Sequence, residues 1–377
     1  MTNHPLVSVV ILNWNKPQDT LVCIKSIKHQ SYKNIEIIVV DNGSDDDSVS
    51  ILNNINGIKL VKNKTNRGFT GGHIDGYQHT NGEFILVLNN DAILDKDYIV
   101  NGVKIISKDD NIALVGGRSY EWNGGDIDHS NLDNAEYFSF QTVNVNSGEG
   151  IFAKNDKGFD HEVNWVSGSS MLIRRSVIEQ VGYFYDPLFA YYEENDLFAR
   201  IQAYGYVIVY SPSLKIWHRM GISSSNAYQL NQIFKNRFIF AIRNFDNNHL
   251  MSFFRSYFKT TIRGSYHYIF KKYHNEEEKI LNKALHNSLL NSLIYWPRWV
   301  NSRFNIKKID DSGLSYKDKL KIEQTGISFV VDLSKDYKKI KNLVEFTKTL
   351  MYKHFNSEIV LVCNNNDKKE LELYKEK

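Results

Sequence analysis

Apolar runs that end abruptly in polar residues recur in the first half of the chain. The clearest is Phe84-Ile85-Leu86-Val87-Leu88, which stops at Asn89-Asn90-Asp91. A continuous aliphatic run predicts a strand that is covered on both faces, as in a parallel α/β sheet. Ligands of such sheets bind beyond the carboxyl ends of the strands, so this polar triplet predicts a binding site. A plain turn is the alternative, because Asn and Asp both favour turns.

Similar apolar runs predict further strands, and segments with helical spacing lie between them. Strands are predicted at 6–12, 35–40, 58–61, 112–117, 164–173 and 206–210. Helices are predicted at 18–30, 97–107, 174–181 and 190–204, and a further helix ends at Tyr77. This alternation predicts an α/β fold with a doubly wound, mostly parallel, Rossmann-like sheet. Residues 119–160 are polar and poorly periodic, and we interpret them as a long excursion near an acceptor site.

The composition changes after residue 226, where Arg, Lys, Phe and Tyr are interleaved at helical spacing. These helices form either a plain helical subdomain or a surface that binds an anionic membrane. Strands at 327–332 and 358–364, with a helix at 337–355 between them, are similar in sequence to the first two strands. We therefore predict an α/β domain at 1–225, a helical part at 226–320, and the start of a second α/β unit at 321–377, in a chain cut from a longer polypeptide. The alternative is that the last strands extend the first domain.

Composition adds a few constraints. The chain has 377 residues, a net charge of +3, and 2 cysteines, Cys23 and Cys363. The charge is too small to indicate nucleic-acid binding, and we expect no nucleic-acid partner. Both cysteines lie in apolar segments and predict buried thiols in a reducing compartment. Neither a signal peptide nor a membrane-spanning apolar segment is found, which predicts a cytoplasmic protein, at the inner face of the cell membrane if the helices bind lipid.

Several short motifs resemble, in order, those of one enzyme family. They are Val9-Val10-Ile11-Leu12-Asn13-Trp14-Asn15, Val39-Val40-Asp41-Asn42-Gly43-Ser44, Asn66-Arg67-Gly68-Phe69, Leu88-Asn89-Asn90-Asp91, Trp165-Val166-Ser167-Gly168, Tyr192-Glu193-Glu194-Asn195-Asp196-Leu197 and Trp217-His218. Together these motifs resemble the inverting glycosyltransferases of family 2, which have the GT-A fold, and most of all the bacterial rhamnosyltransferase-type members. The resemblance covers residues 7–244.

The resemblance implies a donor-nucleotide site at the ends of the first strands. Asp41 is implied to accept a hydrogen bond from the N3–H of uracil or thymine, and Arg67 to contact the diphosphate. An Asx turn at Asp41 and a solvated surface arginine at Arg67 are the alternatives. The donor-binding residues expected on this basis are Asn13, Asn15, Asp41, Arg67, Gly68 and Asn90.

A metal site is implied next to it. Asn90 and Asp91 occupy the last two places of the family's Asp-X-Asp motif, whose first place is Asn89 in this sequence. The resemblance implies that Asp91 binds Mg²⁺ or Mn²⁺, and that His218 is a further ligand. A packed histidine beside Trp217 is the alternative.

The acidic pair Glu193-Glu194 matches the family's Glu-Asp motif, whose second member is the general base. This implies Glu194 as the base, with Glu193 and Asp196 as alternatives, although acidic residues in a first helical turn need no function. Trp165, Ser167 and Gly168 are expected beside the acceptor and the donor sugar, where glycine permits close approach.

The expected activity is metal-assisted, inverting transfer of a sugar, rhamnose or another hexose, from a dTDP- or UDP-linked donor. The expected acceptor is a hydroxyl group of a bacterial surface glycan, such as O-antigen or capsule, or of a lipid-linked saccharide. One alternative is a catalytically silent nucleotide-sugar-binding module of a larger glycan-assembly protein. Another is a nucleotidyltransferase, although such an enzyme gives no reason for the acidic pair.

Overall fold

The computed structural model describes residues 4–121, 137–138, 140–143, 150–152, 158–219, 226–270, 273, 275–321, 327–332 and 357–362. The chain divides into two compact units, Met1–Ile306 and Lys307–Lys377. The first unit contains a 10-stranded sheet with helices, and the second contains a pair of parallel strands.

The strands of the first unit are mostly apolar segments. They are β1 (Val7–Asn13), β2 (Ile35–Asp41), β3 (Lys59–Lys62), β4 (Phe84–Asn89), β5 (Ala92–Leu94), β6 (Ile112–Glu121), β7 (Tyr137–Phe138), β8 (Phe140–Val143), β9 (Gly150–Phe152), β10 (His161–Val163), β11 (Ser170–Arg174) and β12 (Val207–His218). The large sheet has the order β10-β12-β6-β11-β4-β1-β2-β3, with β5 beside β12 and β7 beside β6. Strands β8 and β9 pair with each other.

The sheet is parallel on one side and mixed on the other. Strands β4, β1, β2 and β3 run parallel, as the alternation of strands and helices predicts. Strand β11 runs antiparallel to both of its neighbours, β4 and β6, whereas β12 runs parallel to β6. The predicted α/β fold class is therefore confirmed. The direction of β11 was not predicted, because its apolar run has the same pattern when read in either direction.

Helices pack on the sheet and bury its apolar side chains. They are α1 (Pro17–Lys28), α2 (Ser48–Asn53), α3 (Gly68–Tyr77), α4 (Tyr98–Ile106), α5 (Arg175–Val181), the 3₁₀ helix Asp186–Leu188, and α6 (Glu193–Ala203). Helix α4 shows the principle, because Ile99, Val103 and Ile106 lie at helical spacing and are all buried in the main core. Full burial of one such side chain stabilises the fold by about 1.5–3 kcal/mol.

Three further helices follow in the chain, α7 (Asn226–Asn244), α8 (Asn247–Phe270) and α9 (Glu276–Lys321). Their shared core is aromatic: Phe238 of α7 lies among Phe253, Tyr257 and Trp299. Leu188 of the 3₁₀ helix belongs to the same cluster, so this core joins the three helices to the segment that precedes α6. In the described part of the chain, no helix has the length and hydropathy needed to span a bilayer.

The second unit contains β13 (Ile327–Asp332) and β14 (Ser357–Val362), which pair in parallel as β1 and β2 do. The two predicted strands are therefore present. The predicted helix at 337–355, most of the excursion at 119–160, and Cys363 lie outside the described residues. The three-part domain division stays a prediction.

Candidate active site

The carboxyl ends of neighbouring strands bring predicted donor-binding residues together. Asn13 ends β1 and lies opposite Asp41, the last residue of β2, because these strands pair in parallel register. Both side chains are buried, and Asn13 Nδ2 donates a hydrogen bond to Asp41 Oδ1 over 2.8 Å. Asn89 ends β4 on the other side of β1. The polar sheet edge that the sequence predicts is therefore present.

A buried hydroxyl connects this pair to the residue that follows β4. Asn90 Nδ2 donates to Thr20 Oγ1 over 3.1 Å, and Thr20 Oγ1 donates to Asn13 Oδ1 over 2.7 Å. Asn90, Thr20 and Asn13 thus form a series of hydrogen bonds in which each side chain donates to the next. The last acceptor of the series is the Asp41 carboxylate. Such chains polarise one another and fix side-chain orientation. Sequence reasoning missed Thr20, whose only signal is a hydroxyl on the buried face of α1.

Asp41 retains limited capacity to bind a ligand. Its Oδ1 atom also accepts a hydrogen bond from Ser44 Oγ over 2.7 Å, and its Oδ2 atom accepts one from Ser44 N over 3.2 Å. A carboxylate oxygen can accept two hydrogen bonds, so Oδ2 is the atom with capacity for an N3–H donor. The turn formed with Ser44 and recognition of a base are therefore compatible.

Asn15 lies at the same edge, with a left-handed backbone at φ 52°. Its side chain exchanges two hydrogen bonds with Asp45: Asn15 Nδ2 donates over 2.6 Å, and Asp45 N donates back over 2.9 Å. This exchange ties the end of β1 to the loop after β2. Trp14, between Asn13 and Asn15, is 46% exposed, and sequence reasoning gave this large aromatic side chain no role.

The two predicted metal ligands lie side by side. His218 ends β12 and lies opposite Ala92 in the pairing of β12 with β5. This pairing places His218 Nε2 3.1 Å from Asp91 Oδ1, and Asn89 Nδ2 is also 3.1 Å from the same nitrogen. Both members of the pair are largely buried. The structure therefore brings together a carboxylate and an imidazole that the sequence separates widely.

This donor set fits a divalent cation. His218 Nε2 faces a carboxylate oxygen, which needs a donor, and an amide nitrogen, which needs an acceptor. No single tautomer of His218 satisfies both in this orientation of the Asn89 amide. Among the described residues no group of three or more His, Cys, Asp or Glu side chains is arranged to hold a metal. Mg²⁺ commonly binds through one or two protein ligands, with substrate phosphates in the remaining places, and this site matches that pattern.

Arg67 and Gly68 lie at the start of α3. Gly68 has φ +72°, and a Cβ atom there would overlap the carbonyl oxygen of Phe189, so only glycine fits. Arg67 pairs with Asp75 at 2.5 Å and more loosely with Asp186 at 3.5 Å. The guanidinium is therefore held by two carboxylates. The Asp186 contact is exposed and long, so exchanging it for a diphosphate would cost little.

At the start of α6, Glu193 is buried and Glu194 is half-buried. Burial raises the pKa of Glu194, and burial together with the neighbouring Glu194 charge raises the pKa of Glu193 further. The Oε2 atom of each residue is buried without a hydrogen-bond partner in the described part of the chain. The pair therefore holds a proton at a higher pH than an ordinary glutamate does, as an acid–base catalyst requires.

Gly168 faces Glu194. A Cβ atom built on Gly168 would lie 3.5 Å from Glu194 Cδ, which is ordinary van der Waals contact. Trp165 Nε1 donates to Asn195 Oδ1 over 2.8 Å and so ties the same segment to α6. The residues predicted for the sugar site thus lie beside the predicted base.

One hydrogen bond orders this segment internally, and a second connects it to the end of β4. Ser167 Oγ lies 2.7 Å from Ser169 Oγ, which orders the turn before β11. The backbone nitrogen of Asn89 donates to the Ser169 carbonyl oxygen over 2.9 Å. The segment opposite Glu194 is therefore bonded directly to the end of β4, two residues before Asp91.

Comparison with known proteins agrees with this geometry. Residues 8–182 match the family model described as glycosyl transferase family 2. These residues belong to glycosyltransferase family 2. The match includes all of the predicted donor and sugar residues and Asp91, whereas Glu193, Glu194 and His218 follow it in the chain.

The curated relatives align with this chain over only part of their own length. An uncharacterized glycosyltransferase of Haemophilus influenzae is 35% identical over 120 residues, which are 31% of this chain and 37% of that protein. The low-salt glycan biosynthesis hexosyltransferase Agl10 of Haloferax volcanii is 26% identical over 240 residues, which are 62% of this chain and 74% of that protein. This chain therefore spans about a third to three quarters of the length of these two relatives.

A solved structure shares the fold. GalNAc-T7, solved with UDP, GalNAc and Mn²⁺, has a TM-score of 0.54 and 18% identity, over 75% of this chain and 55% of that chain. At this identity the likeness shows the fold alone, and it confirms the GT-A expectation for the family 2 domain.

Asp196 follows the family 2 domain, on α6, and the structure speaks against it as a base. It has no exposed surface, and it accepts hydrogen bonds from Arg200 Nε over 3.0 Å and Arg243 Nε over 2.8 Å. Burial acts to raise its pKa, but the charges of Arg243 and Arg200 outweigh burial and hold the pKa well below its usual range. An enclosed carboxylate between two arginines cannot reach an acceptor. Asp196 instead joins α6 to α7.

The acidic pair follows directly after a strained loop at the start of α6. Phe189, Tyr191 and Tyr192 all have positive φ, between 66° and 71°, which costs about 1–3 kcal/mol each. Buried Asn236 of α7 holds this loop, because its Nδ2 atom contacts three backbone carbonyl oxygens. These belong to Leu188 at 2.8 Å, Ala190 at 2.7 Å and Tyr191 at 2.7 Å. Sequence reasoning missed Asn236, whose signal is one amide on the buried face of an aromatic helix.

Proposed function

We propose that this chain is an inverting glycosyltransferase, which moves a sugar from a nucleoside diphosphate to a hydroxyl group of an acceptor. The observation that carries the proposal is the position of Glu194. Its half-buried carboxyl group faces Gly168, on a segment that is hydrogen-bonded to Asn89 at the end of β4, two residues before Asp91. Direct displacement needs a base for the incoming alcohol and a site for the departing diphosphate.

In the proposed step, Glu194 takes the proton of the acceptor hydroxyl as that oxygen attacks the anomeric carbon. The bond between this carbon and the diphosphate oxygen breaks in the same displacement, so the configuration inverts. Burial and the neighbouring Glu194 charge raise the pKa of Glu193, so the two carboxyl groups do not readily ionise together. In the proposed step Glu193 keeps its proton, and Glu194, which faces Gly168, is ionised. One negative charge, on Glu194, is then available beside the sugar.

The donor nucleotide is proposed to bind at the ends of β1 and β2. Asp41 Oδ2 would accept the N3–H of uracil or thymine, and the hydrogen-bonded chain through Asn13 and Thr20 would hold the carboxylate in place. Arg67 would contact the diphosphate by exchanging its long contact with Asp186. The family resemblance and the shared sheet edge support these roles.

Asp91 and His218 would hold Mg²⁺ or Mn²⁺. A cation bound there would offset the negative charge that develops on the departing diphosphate. Because Asn89 stands where the family motif usually has a carboxylate, the protein supplies one negative charge to this site. We therefore propose that cation and donor bind together.

The donor sugar is proposed to be a hexose or deoxyhexose, with dTDP-rhamnose first and UDP-hexoses second. Motif resemblance to the rhamnosyltransferase-type members supports the first choice. The acceptor is proposed to be a surface glycan or a lipid-linked saccharide, which the chain meets at an anionic membrane surface. The Haloferax relative that is named for hexosyl transfer in glycan biosynthesis supports this class of acceptor.

A panel of nucleotide sugars tests the proposal. Thermal unfolding is measured with each donor, with and without Mn²⁺, and release of nucleoside diphosphate is measured with water as the acceptor. We expect one donor to stabilise the protein only when Mn²⁺ is present. Glu194→Gln should keep this stabilisation and lose turnover by about 10²–10⁴-fold. Exposed Asp47 lies on a loop and serves as the control, as Asp47→Asn.

The silent-module alternative predicts a different outcome. In that case the donor stabilises the protein, nucleoside diphosphate is not released above the uncatalysed rate, and Glu194→Gln changes nothing. Turnover that survives Glu194→Gln would reject Glu194 as the base. Turnover without any divalent cation would reject the metal-assisted step.

A further inference from the structure

Helices α8 and α9 expose an unusually apolar surface. Leu290, Leu293, Ile294 and Pro297 of α9 recur at the spacing of one helical face, yet all four are exposed. Leu293 is 63% exposed and Ile294 is 65% exposed. In an ordinary soluble helix this spacing marks the face that packs on the core. Here the core-facing positions are other residues, such as Leu285 and Trp299.

Helix α8 carries a matching face. Its exposed apolar side chains lie largely on one side of the helix. They are Met251, Ile262, Tyr266, Ile269 and Phe270. The two helices run antiparallel in contact, since Gly264 packs on Leu285 and the rings of Phe254 and Trp296 are 5.2 Å apart. The exposed residues of both helices therefore belong to one hairpin, which we call the α8–α9 face.

Along α8 and along residues 281–302 of α9 the charged side chains are all basic, whereas the acidic residues Glu276, Glu277 and Glu278 lie in the first turn of α9. Arg255, Lys259 and Arg263 recur every four residues along α8, and all three are exposed. Helix α8 contains no Asp or Glu, and neither does α9 between residues 281 and 302. An apolar face with a cationic stripe complements a surface that is apolar within and anionic at its boundary. A protein partner or a second copy of the chain would give no reason for the absence of acidic residues from α8 and from residues 281–302 of α9.

We infer that the α8–α9 face docks on an anionic lipid bilayer, with its aliphatic and aromatic side chains in the headgroup region and its arginines and lysine against lipid phosphates. This inference rests on the proposed function only in that a lipid-linked acceptor explains why the enzyme should bind a bilayer. Binding needs neither donor nor acceptor, so the two proposals fail separately.

Vesicle flotation with the full chain tests the inference. Phosphatidylglycerol vesicles are compared with phosphatidylcholine vesicles, without nucleotide sugar or metal. We expect binding to the anionic vesicles alone, and weaker binding as salt is raised. Each basic residue near an anionic surface contributes about fivefold to partitioning, so Arg255→Gln, Lys259→Gln and Arg263→Gln together should reduce binding roughly a hundredfold.

Two further variants separate the apolar contribution from general charge. Leu293→Gln with Ile294→Gln should reduce binding by about tenfold or more, because these side chains would leave the lipid. The matched control neutralises three exposed lysines elsewhere, as Lys25→Gln, Lys62→Gln and Lys104→Gln, and should keep full binding. Thermal unfolding should be unchanged in all variants, since every substituted side chain is exposed.

Three results would overturn the inference. Wild-type protein that fails to float with anionic vesicles has no such docking face. If the lysine control lost as much vesicle binding as the α8 variant, the binding would depend on the net charge of the protein and not on the α8–α9 face. A dimer in sedimentation that Leu293→Gln with Ile294→Gln dissociates, without any vesicle binding, would show that a second copy covers this face.

Discussion

The Nε2 atom of His218 lies 3.1 Å from the Oδ1 atom of Asp91. The contact exists because β12 continues past the sheet edge and pairs with the short strand β5, directly after Asp91. The same pairing lets Arg219 N donate to the Asp91 carbonyl oxygen over 3.0 Å, which fixes the backbone at this position. Backbone pairing therefore sets the position of Asp91 relative to His218.

Loss of either ligand should weaken metal-dependent donor binding. We expect Asp91→Asn and His218→Ala each to weaken binding of UDP or dTDP in the presence of Mn²⁺ by about ten- to a hundredfold. Any weaker binding without Mn²⁺ should change little, because the proposed contacts of Asp41 with the base and of Arg67 with the diphosphate remain. Titration calorimetry with and without Mn²⁺ measures both. Asp47→Asn is the control, and equal Mn²⁺ dependence in all variants would contradict the ligand assignment.

The loss of turnover at acidic pH should reflect protonation of Glu194. Burial raises the pKa of Glu194, and a base must be unprotonated, so turnover should fall with decreasing pH at a pH higher than the ordinary glutamate pKa of about 4.3. Glu193→Gln should keep turnover, because that residue already holds its proton in the proposed step. The measurement is kcat/KM against pH for wild-type protein and both glutamine variants. If kcat/KM of Glu194→Gln fell with decreasing pH as it does in the wild-type protein, a group other than Glu194 would be responsible for the fall.

Local patterns in the sequence predicted much of this site. Asn13, Asp41, Asn89 and Asp91 each follow an apolar run, and the carboxyl ends of parallel strands meet at one edge of a sheet. That rule needs no knowledge of tertiary contacts. The rule correctly placed these residues at one sheet edge, whereas their roles in donor binding, and that of His218, which the family resemblance added, stay predictions.

Other features depend on packing between distant segments, and the sequence does not show them. Asp196 has one arginine partner on its own helix, Arg200, and a second on α7, Arg243. The sequence around Glu194 does not show that Arg243 encloses Asp196, and the local pattern alone therefore suggested Asp196 as a candidate base. Asn236 and Thr20 are single polar residues on buried helix faces. Their hydrogen bonds depend on how those helices pack, which the hydrophobic period does not specify.

Space opposite Glu194 should matter for activity and little for stability. The methyl group of Gly168→Ala would lie at ordinary contact distance from Glu194 Cδ, so the fold should tolerate it. The same methyl group would take space beside the base, and we expect turnover to fall by about tenfold or more. Gly68→Ala is the opposite case, because its Cβ atom would overlap the Phe189 backbone. Thermal unfolding and turnover of both variants separate the two effects, and a destabilised Gly168→Ala would contradict the assignment.

The buried network of Asp196 should contribute strongly to stability. Asp196→Asn leaves two buried arginines without their carboxylate, which costs about 3–5 kcal/mol. The folded-state pKa of Asp196 lies below its unfolded value, so its contribution is complete above the unfolded value of about 3.9 and is lost as the pH falls below it. Urea unfolding against pH tests this. Glu276→Gln, which breaks an exposed pair with Lys279, should cost less than about 1 kcal/mol.

Asn236 should affect turnover more than donor binding. Its amide lies on α7 and holds the strained loop before α6, and among the described residues its hydrogen bonds go to that loop and not to the ends of β1 and β2. Asn236→Leu would leave three carbonyl oxygens without this donor, and each buried group left unsatisfied costs about 1–3 kcal/mol. The loop should then relax its positive φ angles and move Glu193 and Glu194 away from Gly168. We expect kcat to fall by about tenfold or more, while the Kd of the donor changes less than about twofold.

The matched control for this substitution is Asn231→Leu on the same helix, whose side chain bonds to Ala227 and Asn287 and not to the loop. It should leave kcat unchanged. If Asn236→Leu lowered kcat and donor affinity together, Asn236 would be supporting the whole domain. If it changed neither, the strained loop would be held by its own contacts, such as the hydrogen bond from Thr70 N to the Phe189 carbonyl oxygen. A selective loss of kcat is expected only if α7 sets the position of the acidic pair.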